Sequence, residues 1–110
     1  GVRIAIMSSD DENPRNLPFA AGFAANWGLS KGEALRAVTL NAAEIVGMQE
    51  SLGSLTAGKR ADIVITDGDL FEATTQVLGM WIDGREVSMA NKQTELYDRY
   101  RARLHSLKEK

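Results

Sequence analysis

The chain opens on an apolar run that needs neighbouring strands, and this requirement constrains the fold more than any other feature. Residues 2–8 read VRIAIMS, with Val2, Ile4 and Ile6 alternating, which is typical of a mostly buried β-strand. A buried strand must pair its backbone amides and carbonyls, and no later segment offers a parallel partner. Because the chain also starts inside this element without an initiator Met, we expect the other strands to lie upstream of it.

Three helices are predicted to follow this strand. The first covers residues 17–27, which read LPFAAGFAANW. Ser30 and Glu33 have the spacing of a capping box, in which the hydroxyl and the carboxylate bind the free amides at the start of the second helix. Asn41 and Glu44 repeat this spacing, and we therefore expect them to begin a short third helix.

Past residue 53 the sequence changes to a pattern that is typical of strands and turns. The dipeptide Asp83-Gly84 is a strong signal for a two-residue β-hairpin. The predicted strands cover residues 61–66, 75–82 and 85–89. The last predicted element is an amphipathic helix over residues 92–107. Its apolar face consists of Leu96, Tyr100, Leu104 and Leu107.

Composition and charge exclude several classes of protein. The chain is 44% hydrophobic and 25% charged, which indicates a packed domain and excludes a disordered tail. Its net charge is -2 without a basic stripe, so we expect no nucleic acid partner. No apolar run could span a bilayer, so we expect no membrane partner. The absence of cysteine excludes disulfides and thiolate metal sites; the compartment stays open, with the cytoplasm as the default.

The segment GSLTAGKR has the spacing of a phosphate-binding P-loop, with glycines at 53 and 58 followed by Lys59. A P-loop needs a hydroxyl after the lysine to bind magnesium, and Arg60 occupies that position. A P-loop also leaves a strand and opens a helix, whose amides hold the phosphate. Here a helical stretch leads into a strand, so we predict a tight turn and no nucleotide site.

Three acidic residues, Asp10, Asp11 and Glu12, directly follow the predicted opening strand. At the carboxyl end of a barrel strand, a carboxylate points into the crevice where α/β barrels carry out catalysis. Taken without further context, the residues favour a plainer interpretation, in which the acids form a solvated turn and cap the next helix. Arg15 and Asn16 follow at once, and both substrate binding and turn chemistry suit them.

Two longer segments, ALRAVTLNAAEIVG and GSLTAGKRADIVI, resemble the C-terminal third of the amidohydrolase superfamily, in particular enzymes related to imidazolonepropionase. The resemblance covers residues 2–88. It implies an α/β fold, namely the C-terminal fragment of a (β/α)8 barrel with part of the adjoining composite β-sandwich; the fragment alone would look α+β. The implied parts are the last barrel strand and helices (1–52), sandwich strands (53–90) and a terminal amphipathic helix (91–110).

The resemblance also implies a chemistry for the acidic turn. By its position in the sequence SSD, Asp10 is similar to the family's last metal-site residue, which contacts a divalent metal, usually zinc, and holds the metal-bound water. Asp10 would take a proton from this water as it attacks a carbonyl carbon, and would deliver the proton to the leaving nitrogen. Arg15 and Asn16 lie where family members often contact the substrate.

The resemblance leaves most of the implied metal site outside this chain. The family's early His-x-His, its frequent modified Lys or Glu, and its two later histidines have no match here. We interpret the only histidine, His105, as a solvated helix residue, because one imidazole makes no zinc site. We therefore expect the fragment alone to bind no metal tightly and to be inactive. The implied partners are a small-molecule substrate and the rest of the barrel, and self-association stays open.

A competing hypothesis treats the chain as a self-contained α+β module that binds a partner without catalysis. The ordinary composition of the chain supports it. The opening strand counts against it, because a buried strand without a neighbour leaves its backbone groups unpaired.

Overall fold

The computed structural model describes residues 1–8 and 13–108, and these two ranges contain four α-helices and three β-strands. The helices are α1 (Leu17–Asn26), α2 (Lys31–Ala37), α3 (Leu40–Ile45) and α4 (Lys92–Lys108), and a 3₁₀ turn (Pro14–Asn16) precedes α1. The strands are β1 (Ile63–Thr66), β2 (Val77–Ile82) and β3 (Arg85–Glu86), which form one antiparallel sheet in that order. The described chain is thus a helical half, a small antiparallel sheet and a C-terminal helix, which is the α+β appearance expected of the fragment taken alone.

The opening segment does not form the β-strand that the sequence predicts. Residues 1–8 have no regular secondary structure, because no described strand lies beside them to pair with their backbone groups. They contact the helices instead. The amide of Ile6 donates to the carbonyl of Ala37 at 3.0 Å, and Asn41 Nδ2 donates to the carbonyl of Ile4 at 3.2 Å. The strand prediction is therefore wrong for the described part of the chain.

The first three helices pack through small side chains. The buried apolar residues of the described ranges are Ala21, Ala34, Ala37 and Ala43. No large side chain there is fully buried. Complete burial of a Leu, Ile or Phe side chain contributes about 1.5–3 kcal/mol, so an alanine core of this kind stabilises the helices only weakly.

One of the two predicted helix caps is confirmed and the other is wrong. Ser30 Oγ accepts a hydrogen bond from the amide of Glu33 at 3.2 Å, and the Glu33 carboxylate accepts one from the amide of Ser30 at 3.1 Å. The third helix, however, has Thr39 as its N-cap residue and begins at Leu40, so the cap predicted at Asn41 is two positions too late. Asn41 lies inside that helix, and its side chain binds the carbonyl of Ile4 instead of capping the helix.

The predicted hairpin is confirmed. Ile82 pairs with Arg85 across a two-residue loop, in which Asp83 has a φ of 53° and Gly84 a φ of 74°. Positive φ at both loop positions belongs to the type I′ turn, which matches the right-handed twist of the flanking strands. All three strands lie inside their predicted ranges, and each is shorter than predicted.

The C-terminal helix stands apart from the rest of the described chain. α4 contacts none of the other helices and strands in residues 1–8 and 13–108. The predicted helix is confirmed, but its apolar face is not packed against the body. Across the same residues, no helix is both long enough and apolar enough to cross a membrane.

Candidate functional site

The candidate catalytic residue, Asp10, lies outside the described residues, together with Asp11 and Glu12. The structure defines the chain on both sides of them. Ser8 is the last described residue of the segment that contacts α2 and α3, and Asn13 starts the turn that leads into α1. The catalytic role of Asp10 therefore stays a prediction.

Arg15 and Asn16 lie in the 3₁₀ turn that directly follows the acidic residues. Asn13 organises this turn, because its Oδ1 accepts the amide of Arg15 at 3.1 Å and its carbonyl accepts the amide of Asn16 at 2.8 Å. The side chains of Arg15 and Asn16 are exposed. Their contact with a substrate stays a prediction. Asn13 was not predicted as a cap, although Asn followed by Pro favours the start of a turn.

Residues 1–8 and 13–108 contain no metal site of their own. No group of three or more His, Cys, Asp or Glu side chains in these ranges could hold a metal ion. A structural or catalytic zinc site needs three or four protein ligands. The described residues therefore do not fit a metal by themselves, and any metal site would require ligands from beyond them.

Lys59 has hydrogen-bond partners within the protein, in the segment where the sequence predicts a tight turn instead of a phosphate site. Its ammonium group donates to the carbonyls of Gln49 and, at 3.4 Å, Leu52, in the turn that follows α3. The lysine of a P-loop must instead reach the phosphates of a nucleotide. Gly58 has a φ of 91°, as the predicted tight turn requires. We call this contact the Lys59 clasp.

An open groove of about 430 Å³ separates α2 from β1. Its walls include the apolar side chains of Leu35, Val64 and Phe71. Lys31 Nζ and Asp69 Oδ2 also line it and are 2.5 Å apart. The hydrogen bond between them is the main reason why the pKa of Lys31 is raised and the pKa of Asp69 is lowered. Both groups are thereby held in their charged forms, so this pair supplies neither a general base nor a general acid near neutral pH.

Known proteins match most of this chain. The profile of the Amidohydrolase family matches residues 11–88. Imidazolonepropionase from Streptococcus pyogenes serotype M49 (strain NZ131) is 47% identical over 70 residues, which cover 58% of this chain and 17% of that enzyme. The imidazolonepropionase of serotype M1 of the same species gives the same figures.

Two solved structures are also similar to this chain. The crystal structure of an amidohydrolase from Thermotoga maritima MSB8 has a TM-score of 0.75 at 34% identity, covering 80% of this chain and 23% of that chain. The crystal structure of an uncharacterized protein has a TM-score of 0.54, also at 34% identity, covering 64% of this chain and 20% of the other. This chain thus spans about a fifth of the length of the proteins it matches.

Proposed function

Because the chain belongs to the amidohydrolase family, we propose that it forms the C-terminal part of a metal-dependent amidohydrolase. The complete enzyme would use water to hydrolyse C–N bonds in small non-peptide substrates of the cyclic amide or amidine type. The observation that carries this proposal is the family match over residues 11–88, together with 47% identity to imidazolonepropionase over 70 residues.

The proposal gives each part of the chain a place in a larger fold. Residues 1–52 would supply the last strand and the last helices of a (β/α)8 barrel, and residues 53–90 the C-terminal strands of a composite β-sandwich. Residues 91–110 would form a terminal helix. The alternating run at residues 2–8 would become the last barrel strand once neighbouring strands stand beside it, since only its partners are missing.

Exposed apolar surfaces on both halves support this placement. α1 exposes the aromatic side chains of Phe19 and Phe23, and the exposed Trp27 follows one turn later as the C-cap residue of the helix. Trp27 alone is 88% exposed. The sheet exposes Val64, Leu78 and Ile82. Large apolar patches are uncommon on the surface of a complete soluble domain, and further layers of a barrel and a sandwich would cover them.

Asp10 would act at the end of the last barrel strand, where α/β barrels place their catalytic groups. Its carboxylate would accept a proton from the attacking water and return it to the leaving nitrogen as the tetrahedral intermediate collapses. A divalent metal, with zinc as the first choice, would lower the pKa of that water in the complete enzyme. The Arg15 guanidinium and the Asn16 amide would offer hydrogen-bond donors to polar groups of the substrate.

The test uses the complete protein with a panel of cyclic amides and amidines. We expect turnover that disappears after chelation of the metal and returns when zinc is added back. The 110-residue chain alone should be inactive and should bind zinc weakly, because a single carboxylate makes no zinc site. A metal-loaded, folded complete protein that hydrolyses no C–N bond in the panel would argue against the proposal. Stoichiometric zinc binding with turnover by the short chain would disprove the fragment's inactivity.

A further inference from the structure

α4 is a surface helix that lies outside the residues matched by the family. That match ends at residue 88, and α4 spans Lys92–Lys108. α4 also contacts no other helix or strand in the described part of the chain. A role for α4 can therefore be considered independently of the proposed hydrolase.

One face of α4 is apolar and faces solvent. Tyr97, Tyr100, Leu104 and Leu107 follow one another at intervals of three or four residues, which places them in a stripe along one side of a helix. All four side chains are between 57% and 63% exposed. An apolar stripe that crosses three turns of a helix differs from the single exposed apolar residues found on most proteins, and it marks a surface that binds something.

The charged residues of α4 are sorted around this stripe. Arg101 borders one side, where its guanidinium carbon lies 6.0 Å from the centre of the Tyr97 ring. The other border carries Arg103, which lies one turn from both Tyr100 and Leu107. Lys92 and Arg99 lie farther from the stripe, each one turn from Leu96. Glu95 and Asp98 lie on the opposite side of the helix. Arg101 and Arg103 are thus next to the apolar stripe, and the two acids are the charged residues farthest from it.

The charge of α4 also differs in sign from the rest of the chain. Residues 92–108 contain five Lys or Arg residues and two Asp or Glu residues, whereas residues 1–91 contain seven and twelve. Pairing of α4 with α4 of a second copy is disfavoured, because the cations at the borders would face one another. The pattern instead suits a partner with an apolar interior and an anionic rim.

We propose that α4 lies on anionic lipid surfaces. Its tyrosines and leucines would enter the boundary between headgroups and acyl chains, while the guanidinium groups of Arg101 and Arg103 would contact lipid phosphates. Glu95 and Asp98 would face water. This differs from our expectation of no membrane partner, which considered only segments that span a bilayer; a helix that lies in the interface need not cross it.

The test measures sedimentation of the complete protein with two kinds of vesicle. One kind is pure phosphatidylcholine, and the other contains phosphatidylcholine and phosphatidylglycerol at a ratio of about 2:1. We expect binding to the second kind only, and we expect it to weaken when salt rises from about 0.05 M to about 0.5 M, because salt screens the attraction. Equal binding to both vesicles, or no binding to the anionic ones, would overturn the proposal.

Paired variants separate the action of α4 from the overall charge. Replacing Arg101 and Arg103 together by Gln should weaken binding by about 30-fold, since each basic residue near an anionic surface contributes about a factor of five. The control replaces Arg36 and Arg85 by Gln, which removes the same charge from the body and should leave binding unchanged. Equal losses in both pairs would show non-specific attraction and reject α4 as the binding element.

A third variant tests the apolar stripe. Leu104→Asp should reduce binding by at least about tenfold, because a carboxylate would replace the inserted side chain. The unfolding midpoint of the body should not change, since α4 contacts no other described helix or strand. If cross-linking instead shows that α4 packs on the acidic body of a second copy and vesicles do not compete with this contact, the proposal is wrong and α4 is a subunit contact.

Discussion

Residues 77–86 and residues 2–8 both have the apolar pattern of β-strands, yet only the first forms a sheet. β2 and β3 find one another across a two-residue loop, and the type I′ geometry of Asp83 and Gly84 fixes their register. Residues 2–8 find no strand in the described chain, and they contact α2 and α3 instead. A local pattern therefore specifies a strand fully only where its partner lies close by in the sequence.

The same contrast separates other regions of the molecule. The turn between α3 and β1 is held by the Lys59 clasp, and its Gly53 packs closely against α3. All of these contacts lie within the described chain. The opening segment has only a few contacts with the helices, and α4 has none with the other described helices and strands. If this distinction is correct, changes in the first region should lower the free energy of unfolding much more than changes in the second.

Gly53 should give the largest effect. It has a φ of 86°, and a Cβ at this position would lie 2.8 Å from both Leu40 Cα and Ala43 Cβ. Gly53→Ala should therefore lower the free energy of unfolding by about 3–4 kcal/mol, from backbone strain and overpacking together. The control is Gly32→Ala in α2, where no atom lies within 4 Å of the added Cβ. Urea denaturation should show unchanged or slightly higher stability for the control; equal losses in both variants would contradict the account.

The Lys59 clasp should give the next largest effect. Lys59→Met keeps a long apolar side chain but removes the donor to the carbonyls of Gln49 and Leu52. Because charged hydrogen bonds contribute about 1.5–3 kcal/mol, we expect a loss of about 2 kcal/mol in urea denaturation. Lys92→Met removes the same charge from α4, which contacts no other described helix or strand. This control should leave the midpoint of urea denaturation unchanged. A clasp variant as stable as the control would show that Lys59 is only a surface residue.

A smaller and more local effect is expected at Asn41. Asn41→Asp exchanges the amide donor for a carboxylate, which would repel the carbonyl of Ile4. An acid in the first turn also suits the helix dipole of α3, so global stability should change by less than about 1 kcal/mol. Amide hydrogen exchange should speed up at Ile6 and stay unchanged at Gly84 in the same sample. Unchanged exchange at Ile6 would show that other contacts hold the opening segment.

The smallest effect is expected from the pair of Lys31 and Asp69. The pKa of Asp69 is lowered by its bond to Lys31, so its contribution is present above about pH 4 and is lost as pH falls through the folded-state value. The pKa of Lys31 is raised, so its contribution is present below about pH 10 and is lost as pH rises through the folded-state value.

Thermal unfolding at several pH values tests this assignment. The stability difference between the wild-type chain and Lys31→Met should be constant between about pH 5 and pH 9 and should shrink on both sides. It should also decrease with salt, because both side chains are partly exposed and their attraction is screened. A difference that grows at low pH would contradict the assignment.

The sequence was sufficient where structure depends on near neighbours. The capping box at Ser30, the hairpin at Asp83-Gly84 and the tight turn at Gly58 all depend on residues within about ten positions of one another. The misplaced cap at Asn41 has a different cause. Its amide binds Ile4, a residue far away in sequence, and this tertiary contact overrides the local capping pattern.

The candidate site was predictable only in part. Its position after an apolar run pointed to Asp10, and the resemblance to a family supplied the role; Asp10 lies outside the described residues, and its role stays a prediction. Arg15 and Asn16 are side by side in an exposed turn, as their place in the sequence suggested. The further metal ligands that the proposal requires could not be predicted, since a site built from distant strands would leave no local pattern in these 110 residues.

The most direct test of the central claim is the kcat of the complete protein with Asp10→Asn, measured beside Asp11→Asn. The account predicts a loss of about 10²–10⁴-fold for Asp10→Asn, because a general base is removed, with little change for Asp11→Asn and an unchanged unfolding midpoint for both. If Asp11→Asn abolishes turnover and Asp10→Asn does not, the catalytic carboxylate is the neighbouring one. If neither variant changes kcat, the acidic residues serve only as a turn, and the catalytic role proposed for this segment is wrong.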